Sequence, residues 1–580
     1  MLKFKRTYLL LSFLLVFGFS KAQNIRLSIQ FNDTSLTQKQ QKELFTFNAS
    51  TTFAGLKNEL ININKQLSLR SFLTNSVDSI IVDSSNFVAY FHLGRQYKWT
   101  SLRTQTIDEG VLSKIGFRDK LYNNKPFNQK QLHNFYEKVI AFYENNGYPF
   151  ASIRLDSVVV ENNTLSGLVH IEKNNLYKID SVIIKGTATV SDQYIKNYIK
   201  IKENDLYNES AVRKMSTRIK EIPFITEVQP PKIYFSEKNA KIVMLLKKKN
   251  ASRFNGIIGI VPDETGKVRF NGDVKLNLMN SFKKGEEIDF NWRAIQNNSQ
   301  DLKLNLVYPF VLNSPFGFDY NFNLYKRDST YIDIFNKIGV RYILKGNNYF
   351  SLFYHNKTSN LLTQTGFSSL TVLPSFADIS TQLYGIGVYN ANLDYRLNPR
   401  KGYEIDIKGS LGNKKIRKNA QINEQLYDGL NLNSTLYTFN SDLAVYFPLR
   451  KRSVIKLGAQ TGYTFNENLF DNELLRIGGL KTLRGVDEEA IFASFYSIQT
   501  LEYRFILEQN SFLYLFTDAA YYEKNTKDNF LSDRPFSFGL GMSFETNAGI
   551  FSVSYAVGKQ FDNPVQFRSA KIHFGFVNFF

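Results

Sequence analysis

Two periodicities divide the chain. Up to about residue 250, apolar positions recur at helical spacing between short β-type runs; beyond it, a two-residue alternation takes over. Within the first part, residues 128–146 carry Leu132, Phe135, Val139 and Phe142 on one helical face, and Gly147 sits where a glycine commonly ends a helix. This helix is expected to stand among a strand at 97–104, a short helical stretch at 107–115, and strands at 153–160 and 165–171 joined by the turn Asn162-Asn163. The same order then recurs: a strand at 177–184, a turn at Gly186, a helix capped by Ser191 and running through Lys200, a helix at 209–222, and strands at 227–235 and 241–246. A weaker copy precedes both, with a strand at 25–31, a largely helical stretch at 53–72, and a hairpin of 79–82 with 87–92. Three copies of roughly 70–80 residues predict repeated small α+β modules.

In the second part the segments Val274-Lys-Leu-Asn-Leu278, Leu302-Lys-Leu-Asn-Leu306 and Tyr403-Glu-Ile-Asp-Ile407 place apolar and polar side chains on opposite faces, with turn-rich spacers between them. Such alternation suits strands with one face to lipid and one to a lumen. Residues 251–580 leave room for sixteen antiparallel strands at about 20 residues each, counting ~9–11 residues per crossing plus its loop. The fold class expected is therefore α+β repeats followed by an all-β transmembrane barrel. Backbone groups in hydrocarbon must all be paired, so that sheet should close on itself.

The N-terminus bears on location. Lys3, Lys5 and Arg6 precede an apolar run from Leu9 to Phe19, and Ser20-Lys21-Ala22 supplies small residues for cleavage after Ala22. A secretory signal peptide at 1–22 is expected. Composition then removes several alternatives. The chain has no cysteine, which excludes disulfide frameworks, thiolate metal sites and thiol nucleophiles. His92, His133, His170, His355 and His573 lie far apart, without helix-borne ligand spacing. Mean hydropathy is -0.28, too low for a bundle of apolar membrane helices, whereas 51 Phe and 33 Tyr suit strands. A formal charge of +20 fits either nucleic acid or anionic lipid, and secretion favours lipid. No nucleophile elbow, metal signature or other catalytic set is present.

Several motifs resemble one known group. The stretch Tyr143-Glu-Asn-Asn-Gly147-Tyr-Pro-Phe-Ala151 looks like the helix-to-strand join of polypeptide-transport-associated (POTRA) domains, and Tyr177-Lys-Ile-Asp-Ser181-Val-Ile-Ile-Lys-Gly186 looks like the opening of the next. Ile477-Gly-Gly-Leu-Lys-Thr-Leu-Arg484-Gly485-Val486 resembles the Arg-Gly motif on the inward-folded sixth loop of the POTRA-plus-barrel outer-membrane assembly and translocation superfamily, with Val486 in place of the usual aromatic. Leu501-Glu502-Tyr-Arg504-Phe and Phe516-Thr-Asp518-Ala resemble the superfamily's following strands, Ala520 replacing a glycine. Asn398-Pro-Arg-Lys-Gly402-Tyr403, Ser537-Phe-Gly-Leu-Gly541 and Gly549-Ile-Phe-Ser-Val-Ser-Tyr555 match further strand motifs. The terminal segment from Lys571 resembles the signal by which barrels are recognised for insertion, with Gly575 and Phe580 in place and Asn578 where an apolar residue is usual.

The resemblance implies five segments: a signal peptide (1–22), POTRA-like units at 23–95, 96–174 and 175–250, and a barrel at 251–580. This layout is similar to that of TamA-like members. It implies no enzyme and no cofactor, but an insertase that docks unfolded outer-membrane client proteins on its POTRA units and passes them through the barrel or its lateral seam. The expected partners are those clients, outer-membrane lipid, and periplasmic or inner-membrane proteins reached through the POTRA units, without nucleic acid. Arg484 and Gly485 would anchor the sixth loop on Glu502, Asp518 or both; a planar guanidinium suits paired carboxylates, and a glycine suits a tight turn. A two-partner-secretion-type transporter is the alternative within the superfamily, and a passive porin or surface adhesin the alternative outside it.

Overall fold

The computed structural model describes residues 25–579, apart from positions 35, 84–85, 263–267, 295–298, 363–366, 368–369, 547–548, 562 and 564. The signal peptide expected at 1–22 and Phe580 lie outside the described residues.

Three small sheets precede a large antiparallel one. In the first, Ile25–Phe31 pairs in parallel with Asn86–His92, which also pairs with the edge strand Ser76–Asp83. The helix Phe53–Leu69 covers it, and Leu27, Ile63, Leu67, Ala89 and Phe91 form the core. That helix stops earlier than the expected residue 72, because Ser71 takes a left-handed φ of 79° that an α-helical ladder cannot continue through. The helix Gln38–Leu44, closed by a capping box from Thr37 to Gln40, was not anticipated: only its cap distinguishes it from a polar loop.

In the second sheet, Lys98–Arg103 and Ser152–Glu161 flank Thr164–Glu172. Asn162 and Asn163, at φ 48° and 61°, form the hairpin turn that two successive left-handed residues require. The helix Gln129–Glu144 buries Leu132, Phe135, Val139 and Tyr143. Tyr143 thus takes the place expected of Phe142, which stays half-buried and meets the Tyr143 ring edge-on at 5.6 Å. The drift of a 3.6-residue turn brings the i+4 position under the sheet here. Gly147 beyond the helix has φ 96°.

In the third sheet, Lys178–Gly186 and Ile225–Ser236 flank Asn239–Lys248. Ser191 caps the helix Asp192–Ile199 by accepting from the Tyr194 N–H, and Lys200 ends it in the left-handed region. Ile195, Met215, Ile219 and Ile242 are fully buried between the helices and the sheet. This third unit seats on the short turns at one end of the large sheet. The Ser191 N–H donates to the Lys283 carbonyl at 2.9 Å, and Tyr194 meets Phe310 with ring centroids 5.6 Å apart. Gly285 lies so close to the Tyr194 ring that a Cβ there would fall 2.0 Å from it.

The large sheet begins with Arg253–Pro262 and ends with Lys571–Phe579. Among the described residues it contains seventeen hydrogen-bonded segments. Phe530–Asp533 and Phe536–Thr546 pair in turn with the same neighbour, Phe512–Asn525, so they are two halves of one stave broken at Arg534-Pro535, and the staves number sixteen. Each stave pairs antiparallel with the next. Alternation along them puts Leu352, Tyr384, Ile386, Leu540 and Phe574 on the outer face, each exposed, while Asp301, Asp319, Lys414, Glu502 and Asp518 are buried on the inner face. An apolar exterior around a polar interior is the inverse of a soluble barrel and the arrangement that hydrocarbon demands.

Candidate functional site

The site is the inner wall of the barrel together with the connection between the eleventh stave, Ser453–Phe465, and the twelfth, Phe495–Ile506. Local bonds make the inner part of this connection a tight knot. The Thr482 hydroxyl accepts from the Gly478 N–H at 2.8 Å and donates to the Gly478 carbonyl at 3.0 Å, and the Gly479 N–H reaches the carbonyls of Leu483 and Val486. Ile477, Leu483, Val486 and Ile491 are buried together against Ile498, Ala520 and Tyr522 of the wall. Val486 therefore serves as an apolar plug where the related motif carries an aromatic. Gly485 has φ 83°, and a Cβ there would fall 2.9 Å from the Gly558 amide nitrogen, so only glycine fits.

This knot aims Arg484 into the wall. Its Nε donates to Asp518 Oδ2 at 2.8 Å and its Nη2 to Asp518 Oδ1 at 2.7 Å, while Nη1 donates to Glu502 Oε2 at 2.8 Å. The guanidinium also lies over the Phe516 ring, 3.5 Å from its centroid. Both acceptors are supported in turn. The Thr500 hydroxyl donates to Asp518 Oδ1 at 2.9 Å, and Arg504 Nε donates to Glu502 Oε1 at 2.7 Å. Arg504 also donates through Nη1 to Asn398 Oδ1 at 3.0 Å. Arg484, Gly485, Glu502 and Asp518 thus meet in one buried cluster, with Arg504 and Thr500 added. Both additions stand at even spacing from Glu502, so the two-residue period of the strand signalled them.

A second buried cluster had no such signal. Lys414, with no exposed side-chain surface, donates to Glu473 Oε2 at 2.6 Å, Asn466 Oδ1 at 3.2 Å and the Asn468 carbonyl at 2.5 Å. It holds the outer arm of the same connection, where Asn472 also bonds Ala377 through its carbonyl and amide.

The sheet's two ends meet along a very short seam. The first stave shares ten residue pairs with the second, and the last shares seven with the fifteenth, but among the described residues first and last share only Arg253↔Phe579 and Phe254↔Asn578. The Asn255 side-chain amide adds one bond to the Phe576 carbonyl at 2.7 Å. Gly575 faces Ser552 within the pairing of the last two staves.

Comparison with known proteins places this geometry. Residues 177–249 match the POTRA family model, described as a surface antigen variable number repeat, and residues 267–580 match the Omp85 superfamily domain. None of the curated proteins matches the sequence. Among solved structures, CdiB from Acinetobacter baumannii is similar with a TM-score of 0.52 at 14% identity, over 84% of this chain and 90% of that one. CdiB from Escherichia coli is similar with a TM-score of 0.51 at 12% identity, over 94% of this chain and 98% of that one. BamA from Haemophilus ducreyi lacking POTRA domains 1–3 aligns with a TM-score of 0.42 at 14% identity, over 84% and 100% of the two chains. Likeness at these identities concerns the fold, but the Omp85 model alone covers more than half of the sequence. The chain belongs to the Omp85 superfamily, as an outer-membrane β-barrel preceded by a periplasmic POTRA domain at 177–249.

Proposed function

We propose that this protein is an outer-membrane assembly factor that docks unfolded client polypeptides on its periplasmic units and delivers them to the barrel at the seam between its first and last staves. The observation that carries this reading is the two-pair seam. A strand edge short of partners exposes backbone donors and acceptors that another strand can take up. The chemistry is pairing and release of backbone hydrogen bonds, so no residue need act as a catalyst.

The periplasmic sheets support the docking half. The first and second units, read here as POTRA-like together with the third, each end in an uncovered edge strand. Ile80, Ile81 and Val82 are exposed on one and Val158, Val159 and Val160 on the other. Soluble proteins usually guard such edges with charge or proline. The edge strand of the third unit carries Pro230-Pro231, one of which removes a donor from any added ladder, since successive N–H groups face opposite edges. An extended client segment can therefore augment the first two sheets better than the third.

The test uses the natural absence of cysteine. In a Phe254→Cys/Asn578→Cys variant, the disulfide is expected to form and to stop insertion of a purified outer-membrane client into vesicles, and reductant is expected to restore it. Insertion that proceeds through an oxidised seam would reject the seam and favour passage of polypeptide through the lumen, as in a secretion transporter.

A further inference from the structure

The knot that carries Arg484 makes contacts on both sides of the seam. Followed along the chain, they progress around the inner wall. Arg484 bonds Glu502 and Asp518 on the twelfth and thirteenth staves, and Gly485 packs on Gly558 of the fifteenth, Gly549–Lys559. Asp487 then pairs with Lys571 of the last stave at 2.7 Å. Two residues on, Glu489 reaches the other side: Oε1 accepts from Arg293 Nη2 at 3.0 Å, on the third stave, Glu287–Ala294. Its second oxygen accepts from Arg476 of the knot itself at 2.9 Å. Arg293 is also 3.6 Å from Asp301 of the fourth stave, which Lys303 meets at 2.6 Å, and the Arg476 guanidinium covers the Tyr325 ring of the fifth at 3.8 Å.

We propose that Glu489 is a positioning residue that makes this knot an internal bolt across the seam, tying the third stave to the twelfth, thirteenth, fifteenth and last and setting how readily the seam opens. This rests on the seam reading above.

Four observations carry it. Among the described residues, two ladder pairs and the Asn255–Phe576 bond join the ring directly, so a contact spanning the gap weighs heavily in closure. Glu489 holds a left-handed φ of 54°, rare for a residue with a long side chain and sustained only where its surroundings fix it. Its side chain is 27% exposed against 70% for Asp487, so the Arg293 pair is shielded from solvent whereas the Asp487–Lys571 pair holds weakly. The knot's apolar core makes it stiff, so its two ends cannot drift apart independently. The first and second staves lie between the two bolted positions, which marks them as the segment that moves when the bolt releases.

The experiment reads the seam without any client. Full-length Phe254→Cys/Asn578→Cys protein is folded in vesicles under reductant, and the rate at which a soluble maleimide labels the two thiols is compared with and without Glu489→Gln. Labelling reads the open seam, and its rate is expected to rise about fivefold, the change in the closed-to-open ratio made by losing a contact of roughly 1 kcal/mol. The rise must appear while the folded, heat-modifiable band is retained. An unchanged labelling rate overturns the proposal, as does a rise that appears only together with loss of that band. Should Glu489→Gln not assemble, Arg293→Gln removes the same contact from the wall and is judged the same way. Failure here leaves the client-insertion test untouched, because the unaltered seam can still be shown to open or not.

Discussion

Asp518 receives Arg484 on both carboxylate oxygens, at 2.8 and 2.7 Å, while its own side chain has no exposed surface. A fork of donors against a fork of acceptors is the strongest form of this contact, and a lysine, a single point of charge, cannot reproduce it. Truncation to Arg484→Ala strands the buried Asp518 carboxylate, leaves Glu502 with Arg504 alone, and should cost about 3–5 kcal/mol, the usual penalty for breaking a buried pair. Arg484→Lys should fall between Arg484→Ala and the unaltered protein. Urea titration followed by the heat-dependent gel shift measures both, and equal stability for all three would show that Arg484 is not an anchor.

The two acceptors are not equivalent. Loss of Glu502 leaves Arg484 with both oxygens of Asp518, and leaves Arg504 with Asn398 and the Phe512 ring. Loss of Asp518 leaves Arg484 with one bond and frees the Thr500 hydroxyl. Asp518→Asn should therefore destabilise the barrel more than Glu502→Gln, with the first near the top of the ~3–5 kcal/mol range and the second below it. The reverse order in the same titration would shift the anchor to Glu502.

The meeting of Arg484 with Glu502 and Asp518 was expected from the resemblance of their motifs to those of a known superfamily, since local pattern alone gives only a glycine-rich turn before Arg484 and inward positions for Glu502 and Asp518. The helix at 129–144 was legible from local pattern, and so was its neighbouring Asn-Asn turn. What escaped reading depends on ring closure or on distant chain. Lys414 sits among lysines at 414 and 415 in an alternating strand and looks like a solvated charge, yet its partner Glu473 stands 59 residues away. Glu489 reads as a loop carboxylate, and only the three-dimensional path of the knot brings it to Arg293. The shortness of the seam is likewise invisible, since strand pattern specifies facing but not how many pairs the two ends will share.

Exposed β-branched runs on the periplasmic edges make a separable prediction. Val159→Lys and Ile81→Lys place a charge on an uncovered edge without touching a core, so the units should fold as before. Photo-cross-linking of an unfolded client to the second unit should drop in the first variant and to the first unit in the second. Undiminished cross-linking in both would remove edge pairing as the docking mode.

Asp33 gives the first unit a dependence on pH. Burial pushes its carboxyl up, but the N–H groups of Leu93 and Gly94, at 2.9 and 2.8 Å, outweigh this and hold it below the usual value. A group depressed in the folded state contributes stability above its unfolded pKa and loses it as pH falls through the folded one. Protection of the Leu93 and Gly94 amides, measured against the intrinsic exchange rate at each pH, should therefore fall on acidification below the ordinary carboxylate range in the full-length protein. In Asp33→Asn the same amides should exchange faster at neutral pH and respond less to acid. Identical acid profiles for the two proteins would show that the contact does not contribute.

Lys414 tests whether the outer arm of the sixth connection is held by charge or by shape. Lys414→Met keeps most of the volume but leaves Glu473, 5% exposed, without its cation, and should destabilise by about 3–5 kcal/mol. Glu473→Gln alone should do similar harm by leaving a buried ammonium. The double variant removes both charges, and buried pairs replaced together by neutral groups are often close to neutral in stability. The expected coupling between the two changes is therefore large, several times the ~0.3–0.5 kcal/mol within which distant sites add. Asn466, which also bonds the Ser434 hydroxyl and the Thr435 carbonyl, should keep the arm in place in the double variant. Additive losses would mean that Lys414 and Glu473 act through separate neighbours, and that the loop arm is held by the packing of Phe470 and its surrounding apolar cluster instead.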